Sequence, residues 1–338
     1  MTKRWFTWFF LFLLLGGCSP AATVSLPETP VREILLTKPA NISTSEISGM
    51  DWYEDWLVML PQYPQRIRRG GLFAIPKSEL LTYLDSERHQ RLDPRIVPFD
   101  DGGLRRSVRG FQGFEAIAFD GDTVYLTIED ETPGRMHGYI VRGQVIGELE
   151  SIRLEPRTLQ EIPLPANMIN MSAESLLLAG DELLTLFEAN GARLLANPVA
   201  QQFDRSLELL GDLPFPNIEY RITDATRLDD NGRFWAINYF FPVDVRLYTF
   251  RDPLVSAYGE GRTNARMLGV ERLVELQFTP EGITLVEDAP LYLRMDSITG
   301  RNWEGIARLD ERGLLVASDK HPDTILGFVP FEGEASEQ

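Results

Sequence analysis

Gly113-Phe114-Glu115-Ala116-Ile117-Ala118-Phe119 sets a small or polar residue and a carboxylate in front of a short apolar run. The same order returns around Asp51 in Ser48-Gly49-Met50-Asp51-Trp52, Glu174 in Met171-Ser172-Ala173-Glu174-Ser175-Leu176, Asp224 in Ile222-Thr223-Asp224-Ala225-Thr226, and Glu304 in Asn302-Trp303-Glu304-Gly305-Ile306-Ala307. A second marker follows at a fixed distance. Fourteen residues after Glu115 stands Glu129, fourteen after Glu174 stands Glu188, and fourteen after Asp224 stands Asn238, while Glu304 leads to Ser318 and Asp319. Asp51 begins a shorter unit that runs through Trp56-Leu57-Val58-Met59-Leu60 to Pro61 and Gln62.

Between the markers lie Asp120-Gly121-Asp122, Ala179-Gly180-Asp181, Asp230-Asn231-Gly232 and Glu311-Arg312-Gly313, residues that favour tight turns between paired strands. Each unit therefore opens on a hairpin. The acids are 64, 59, 50 and 80 residues apart, which leaves room for two further strands per unit. Four antiparallel strands per repeat predict an all-β chain folded as a β-propeller, in which radial packing protects the strand edges. The count favours five blades; a sixth would have to lie between Asp224 and Glu304, where no acid-plus-apolar start is found. The last unit shows only Thr324-Ile325-Leu326-Gly327-Phe328-Val329 after its hairpin, so Glu33 to Thr37 is expected to supply its fourth strand and to close the ring by pairing the chain ends. Ser78 to Arg91, with Leu80, Leu81 and Leu84, predicts about two helical turns.

The innermost strand of a propeller blade lines the central channel, so Asp51, Glu115, Glu174, Asp224 and Glu304 are expected to form a ring at one mouth. Like charges in such a ring repel by about 4 kcal/mol per pair at 4 Å and an effective dielectric of 20. A hard divalent cation would relieve this, and Ca²⁺ suits it through its six to eight oxygen ligands. Zinc is excluded, because His89, His137 and His321 show no ligand spacing and the lone cysteine offers no usable thiolate. A structural alternative stands beside this: acids at blade starts can accept backbone hydrogen bonds or pair with arginines.

The segments after the second strands open on the same face and carry cations. Arg66, Arg68, Arg135, Arg193 and Lys320 are the expected anion-binding residues, with further cations, Arg221 and Arg301 among them, in loops entering the first strands. An anionic small molecule is thus the expected substrate. Glu129, Glu188, Asp319 and His321 are the candidates for acid or base work. No Gly-x-Ser-x-Gly elbow, phosphate-binding glycine loop or His-Glu-x-x-His occurs.

The whole chain of 338 residues, 43% hydrophobic and 25% charged, has the composition of a globular protein with a core. Its formal charge of −17 excludes nucleic acid as a partner on bulk electrostatics, and a monomer is expected. Residues 1–17 have the basic, apolar and small-residue zones of an export signal, with an apolar core too short to span a membrane. Leu15-Gly16-Gly17-Cys18 resembles the lipobox of bacterial lipoproteins, which implies a signal peptide over 1–17 and lipidation of Cys18. Loss of Lys3 and Arg4 with that peptide would take the charge from −17 to −19. Residues 18–32, rich in Pro, Ala, Thr and Ser, read as a flexible tether, 33–332 as one propeller domain and 333–338 as a disordered tail. Anchoring in the cell envelope through lipid alone follows, and Ser19, where an aspartate would resemble the inner-membrane retention signal, points to the outer membrane.

Phe114-Glu115-Ala116-Ile117-Ala118-Phe119-Asp120-Gly121-Asp122, Ile222-Thr223-Asp224-Ala225-Thr226-Arg227-Leu228-Asp229-Asp230-Asn231-Gly232-Arg233, and Asn302-Trp303-Glu304-Gly305-Ile306-Ala307 with Ala317-Ser318-Asp319 resemble the bacterial phytase-like family, also described as esterase-like. The layout of one acid per blade is also similar to calcium-activated nucleotidases. Both resemblances imply a calcium-bearing propeller that hydrolyses phosphoesters or esters. Ser318-Asp319-Lys320-His321-Pro322 departs from the phytase-like pattern, which continues with a second acid and Asn-Phe. A binding or scaffolding propeller with a purely structural ion is the alternative.

Overall fold

The computed structural model describes residues 24–68, 70–88, 90–249, 251–319 and 323–331. The expected signal peptide, lipidated Cys18 and C-terminal tail, together with Lys320 and His321, lie outside the described residues.

Strand pairing divides the chain into five consecutive blades. Blade 1 consists of Ile47–Tyr53, Trp56–Pro61, Gly71–Pro76 and Arg95–Asp100. Blade 2 contains Phe111–Asp120, Thr123–Thr132, Arg135–Ile146 and Ser151–Leu154, with Gln160–Ile162 added to its third strand. Blade 3 is built from Ala173–Ala179, Glu182–Phe187, Val199–Asp204 and Leu209–Pro214. Blade 4 has Arg221–Ala225, Arg233–Phe240, Val270–Thr279 and an outer edge of Gly282–Leu285 and Leu291–Leu293. Blade 5 has Trp303–Leu309, Gly313–Ser318 and Leu326–Pro330, and its fourth strand is Arg32–Ile34 from the other end of the chain, with Ile34 opposite Leu326. The fold is a five-bladed β-propeller.

The long interval before Glu304 holds an insertion rather than a sixth blade. Residues 241–269 leave blade 4 between its second and third strands and carry the short helices Pro242–Arg246 and Pro253–Tyr258. The expected helix after the third strand of blade 1 is Lys77–Asp85, ending earlier than Arg91. Among the described residues no helix is long and apolar enough to cross a membrane.

Each blade packs on two neighbours, so its inner strands are buried on both faces. Gly313–Ser318 is buried at every position, and Trp56–Pro61 at all but its first. The core accordingly divides into apolar clusters between successive blades. Ile34, Leu57 and Phe328 pack between blades 5 and 1, Val58 and Phe114 between 1 and 2, and Ala116 and Leu176 between 2 and 3. Leu177 and Ile222 join 3 to 4, and Ile237 and Ile306 join 4 to 5. At the hairpin turn of blade 2, Gly121 has φ of +55°, a conformation that other L-residues seldom take.

The flexible tether expected over 18–32 is corrected from Val24 onward. Ser25–Leu26 pairs in parallel with Glu260–Gly261, and Glu28–Thr29 extends blade 4 beside Leu291–Leu293. The Glu28 carboxylate accepts hydrogen bonds from the Thr263 and Asn264 backbone amides at 2.6 and 3.1 Å. These contacts turn a Pro-rich stretch into a strap across blades 4 and 5.

Candidate functional site

The innermost strand of blade 2 breaks register twice, once between Phe111 and Gly113, and all five innermost strands break at one common place. The breaks fall between Ile47 and Gly49, Phe114 and Ile117, Ala173 and Ser175, Ile222 and Ala225, and Trp303 and Gly305. A bulge re-aims the extra residue out of the strand plane. The residues at these bulges are Ser48, Glu115 with Ala116, Glu174, Thr223 with Asp224, and Glu304. Three of the five expected ring acids therefore hold the repeated position.

Asp51 and Asp224 do not, and the expected five-acid ring is corrected to three acids. The positions equivalent to Glu115, Glu174 and Glu304 are taken in blades 1 and 4 by hydroxyls. Ser48 Oγ donates to the Phe114 carbonyl at 2.7 Å, and Thr223 Oγ1 donates to the Trp303 carbonyl at 2.6 Å. Both are blade-to-blade stitches of one kind. Asp51 lies past its bulge, toward the hairpin turns, where Arg227 binds it through Nε and Nη2 at 2.6 and 2.8 Å and the Phe119 amide donates to it at 2.7 Å. Asp224 is buried and accepts from the amides of Ala225 and Ile306 at 2.8 Å and of Met50 at 3.4 Å. Burial raises its carboxyl well above the usual range, against the pull of these three amides. It ties the innermost strands of blades 1, 4 and 5 together across the channel. The fit there is close: a Cβ on Gly305 would lie 2.9 Å from Met50 Cγ.

A second tier stands above the first, one residue past the register partner on each second strand: Gln62, Glu129, Glu188, Tyr239 and Asp319. The fourteen-residue spacing led to Asn238 because it was counted from Asp224, whereas Thr223 is the counterpart of Glu115 and the hairpin of blade 4 is longer than that of blade 2, which puts the equivalent position at Tyr239. The Asn238 amide instead donates to the carbonyls of Glu219 and Arg221 at 2.8 and 3.0 Å.

The two tiers enclose a cavity of about 390 Å³ at the channel mouth, into which Glu115, Glu129, Glu174, Glu188, Glu304 and Asp319 project. Arg221 is the one basic residue lining it among the described residues. Its guanidinium is shared between Glu188 and Asp244, the latter at 2.7 Å from Nε. Gln62 Nε2 donates to Glu115 Oε1 at 3.2 Å, and Asn302 Nδ2 bonds Glu304 and reaches Asp319 Oδ2 at 3.4 Å. Burial, with the charges of Glu115 and Glu188, pushes the Glu129 carboxyl up to about 9. Glu174 is raised well above the ordinary range by burial and then by Glu188, Glu115, Glu129 and Glu304. Glu304 is raised by burial and by Asp319, Glu115 and Glu188, although it keeps a face open to the cavity. Burial also raises Glu188, opposed by Arg221.

The donor set is all oxygen and strongly anionic, which fits a hard divalent cation by its chemistry. Among the described residues no three acidic, histidine or cysteine side chains close on a common point at ligating geometry, so the residues do not form a finished cage.

Glu129, Glu188 and Asp319, expected as catalytic candidates, do meet at this mouth. Of the expected anion-binding residues, the four that are described, Arg66, Arg68, Arg135 and Arg193, do not. Arg66 stacks on Tyr63 and binds Glu46 at 3.0 Å, while Arg135 reaches only Glu161 at 3.8 Å. Arg68 and Arg193 are exposed and stand outside the lining. Arg66 ends a short helical turn and Arg135 opens the third strand of blade 2, whereas Arg221 enters on the innermost strand of blade 4. Arg66→Ala and Arg135→Ala are therefore expected to leave any activity of the mouth unchanged; by urea titration Arg135→Ala should cost at most about 1 kcal/mol, as exposed ion pairs do, and Arg66→Ala more, because it strips the buried Glu46 of its cation. Phe241, Val243 and Asn170 also line the cavity from outside the repeated positions, and Tyr239 holds the second-tier position of blade 4 with no acid to mark it.

No protein-family model matches the sequence, and no curated protein does. Among solved structures, one described as belonging to the GH130 family of mannoside phosphorylases, with glycoside hydrolases that target β-1,2 mannosidic linkages, aligns at 9% identity over 91% of this chain and 95% of its own, with a TM-score of 0.48. A Cellvibrio cellulosa α-L-arabinanase mutant aligns at 10% identity over 86% and 93%, with a TM-score of 0.47. An exo-1,5-α-L-arabinanase from a bovine ruminal metagenomic library gives 10%, 91%, 96% and 0.44. These descriptions name glycoside hydrolases and arabinanases, so the expected phytase-like membership finds no support among them. The five-bladed assignment rests on the strand pairing of this chain.

Proposed function

We propose that the protein is a hydrolase of esters or phosphoesters, exported and held in the cell envelope by lipid on Cys18, with its reaction centre at the acidic mouth and Ca²⁺ as its resident cation. One observation carries the reading: six carboxylates from three blades share a cavity with a single guanidinium that Glu188 and Asp244 already engage. Such a group of acids is stable only if protons or a cation neutralise it. Glu115, Glu174 and Glu304, at one tier, are the residues that would hold the ion. Bound there, it would supply Lewis-acid polarisation of a carbonyl or phosphoryl oxygen.

The remaining roles belong to the second tier. Glu129 keeps its proton at neutral pH and is placed to donate it to a leaving oxygen. Glu188, beside Arg221, is the carboxylate whose ionised form is best supported and is the base of the pair. Asn302 orients Glu304, and Gln62 orients Glu115. Elemental analysis of the purified protein, with assays on p-nitrophenyl esters, nucleotides and phytate in calcium and in chelator, tests the reading. Turnover that needs calcium is expected; calcium binding without turnover of any of these would leave a binding propeller in its place.

A further inference from the structure

The blade 4 side of the mouth differs from the rest. Tyr239 and Phe241 alternate as the second strand of blade 4 ends, and their rings lie 6.4 Å apart and only 20° from parallel. Val243 follows at the rim, a large apolar side chain left 71% exposed. All three line the cavity that holds the carboxylates. Val243 belongs to the short helix Pro242–Arg246, and Asp244 of that helix binds Arg221. The apolar wall is thereby fixed to the acidic tier rather than hung on a free loop. A pocket with one apolar wall and a few converging polar groups orients an amphipathic ligand. Phosphate groups, by contrast, would find among the described residues no cation on this lining except the engaged Arg221.

We propose that Tyr239, Phe241 and Val243 form a subsite for a compact alkyl or aryl group of the ligand, so that the substrate is an ester bearing such a group and not a polyphosphorylated molecule. This rests on the reading of the mouth as a hydrolytic site, but the subsite itself can be tested without turnover. The probe is N-phenyl-1-naphthylamine, a neutral apolar fluorophore titrated into the purified protein. Saturable enhancement at one site per chain is expected, weakened about tenfold or more in Phe241→Ala and Val243→Asp. Val245→Asp changes an exposed valine of the same turn that does not line the cavity, and is expected to bind as wild type does. Absence of saturable binding, unchanged affinity in both wall variants, or an equal loss in Val245→Asp overturns the subsite. In parallel, KM for p-nitrophenyl butanoate is expected to lie below that for the acetate, a difference that Val243→Asp removes. No turnover of either ester removes the hydrolytic reading and leaves the probe titration to decide the subsite.

Discussion

Millimolar Ca²⁺ is expected to raise the melting temperature of the metal-free protein at pH 8 by on the order of 5 °C, and Glu174→Gln to remove most of that rise. A ligand at a hundred times its dissociation constant stabilises by about 2.7 kcal/mol, which sets the scale. The sign of the pH dependence follows from the carboxyls. Glu129 titrates near 9 in the folded protein against 4.5 ordinarily, so between those values the folded state holds a proton that the unfolded chain has released. Stability in chelator should therefore fall as pH rises from about 5 to 9, and the raised Glu174 and Glu304 act in the same direction. Calcium takes over from the protons and should flatten that slope. Glutamine at 174 is neutral at every pH, so the variant in chelator should be the more stable protein at pH 8 and show the smaller slope. Differential scanning fluorimetry across pH, in calcium and in chelator, reads all of this at once. A melting temperature indifferent to both calcium and chelator would sink the resident-cation proposal.

Glu129→Gln is expected to lower kcat by roughly 10²–10⁴ on esters with poor leaving groups, the usual contribution of a positioned acid. p-Nitrophenolate departs without a proton, so the same variant should lose far less on p-nitrophenyl esters. That contrast separates a proton donor from a residue that merely shapes the cavity, which would depress both alike. The wild-type rate on a poor leaving group should decline as pH rises through the point where Glu129 gives up its proton in the calcium-bound protein, which lies below the metal-free value because the cation favours the carboxylate, and the decline should be missing in the variant. Glu129 is buried but meets no basic partner as close as the one Arg221 gives Glu188. Its burial and the charges of Glu115 and Glu188 favour the acid form. An equal loss of rate on both ester types would assign it a positioning role instead.

How far the site could be read in advance is shown by blades 2 and 1. In blade 2, Glu115 and Glu129 are both where the spacing placed them, because acid and apolar run coincide with bulge and strand. In blade 1, Asp51 satisfies the same written pattern but sits three residues beyond Ser48, the residue that occupies the bulge. Side chains alternate along a strand, so a short shift in register carries a carboxylate from the mouth to an arginine near the far end of the channel. Neither apolar periodicity nor turn chemistry specifies a bulge. The strap of residues 24–29 escaped for a related reason: its strands are two residues long and pair only with partners brought near by the closed ring. Arg66 and Arg135 illustrate the limit for long side chains, whose partners are chosen by loops no local pattern describes.

The sequence by itself determined the all-β class, the repeat of hairpins, five blades rather than six, the pairing of the chain ends, and the meeting of Glu115, Glu174 and Glu304. Those features rest on local periodicity and on turn residues, which act over a few positions. Only the tertiary structure decided that Ser48 and Thr223 replace acids in the ring, that Arg221 is the cation of the mouth, and that Tyr239, Phe241 and Val243 give it an apolar wall. Each of these depends on strand register and on an insertion's path over a neighbouring blade, and both are set by packing between residues far apart in the chain.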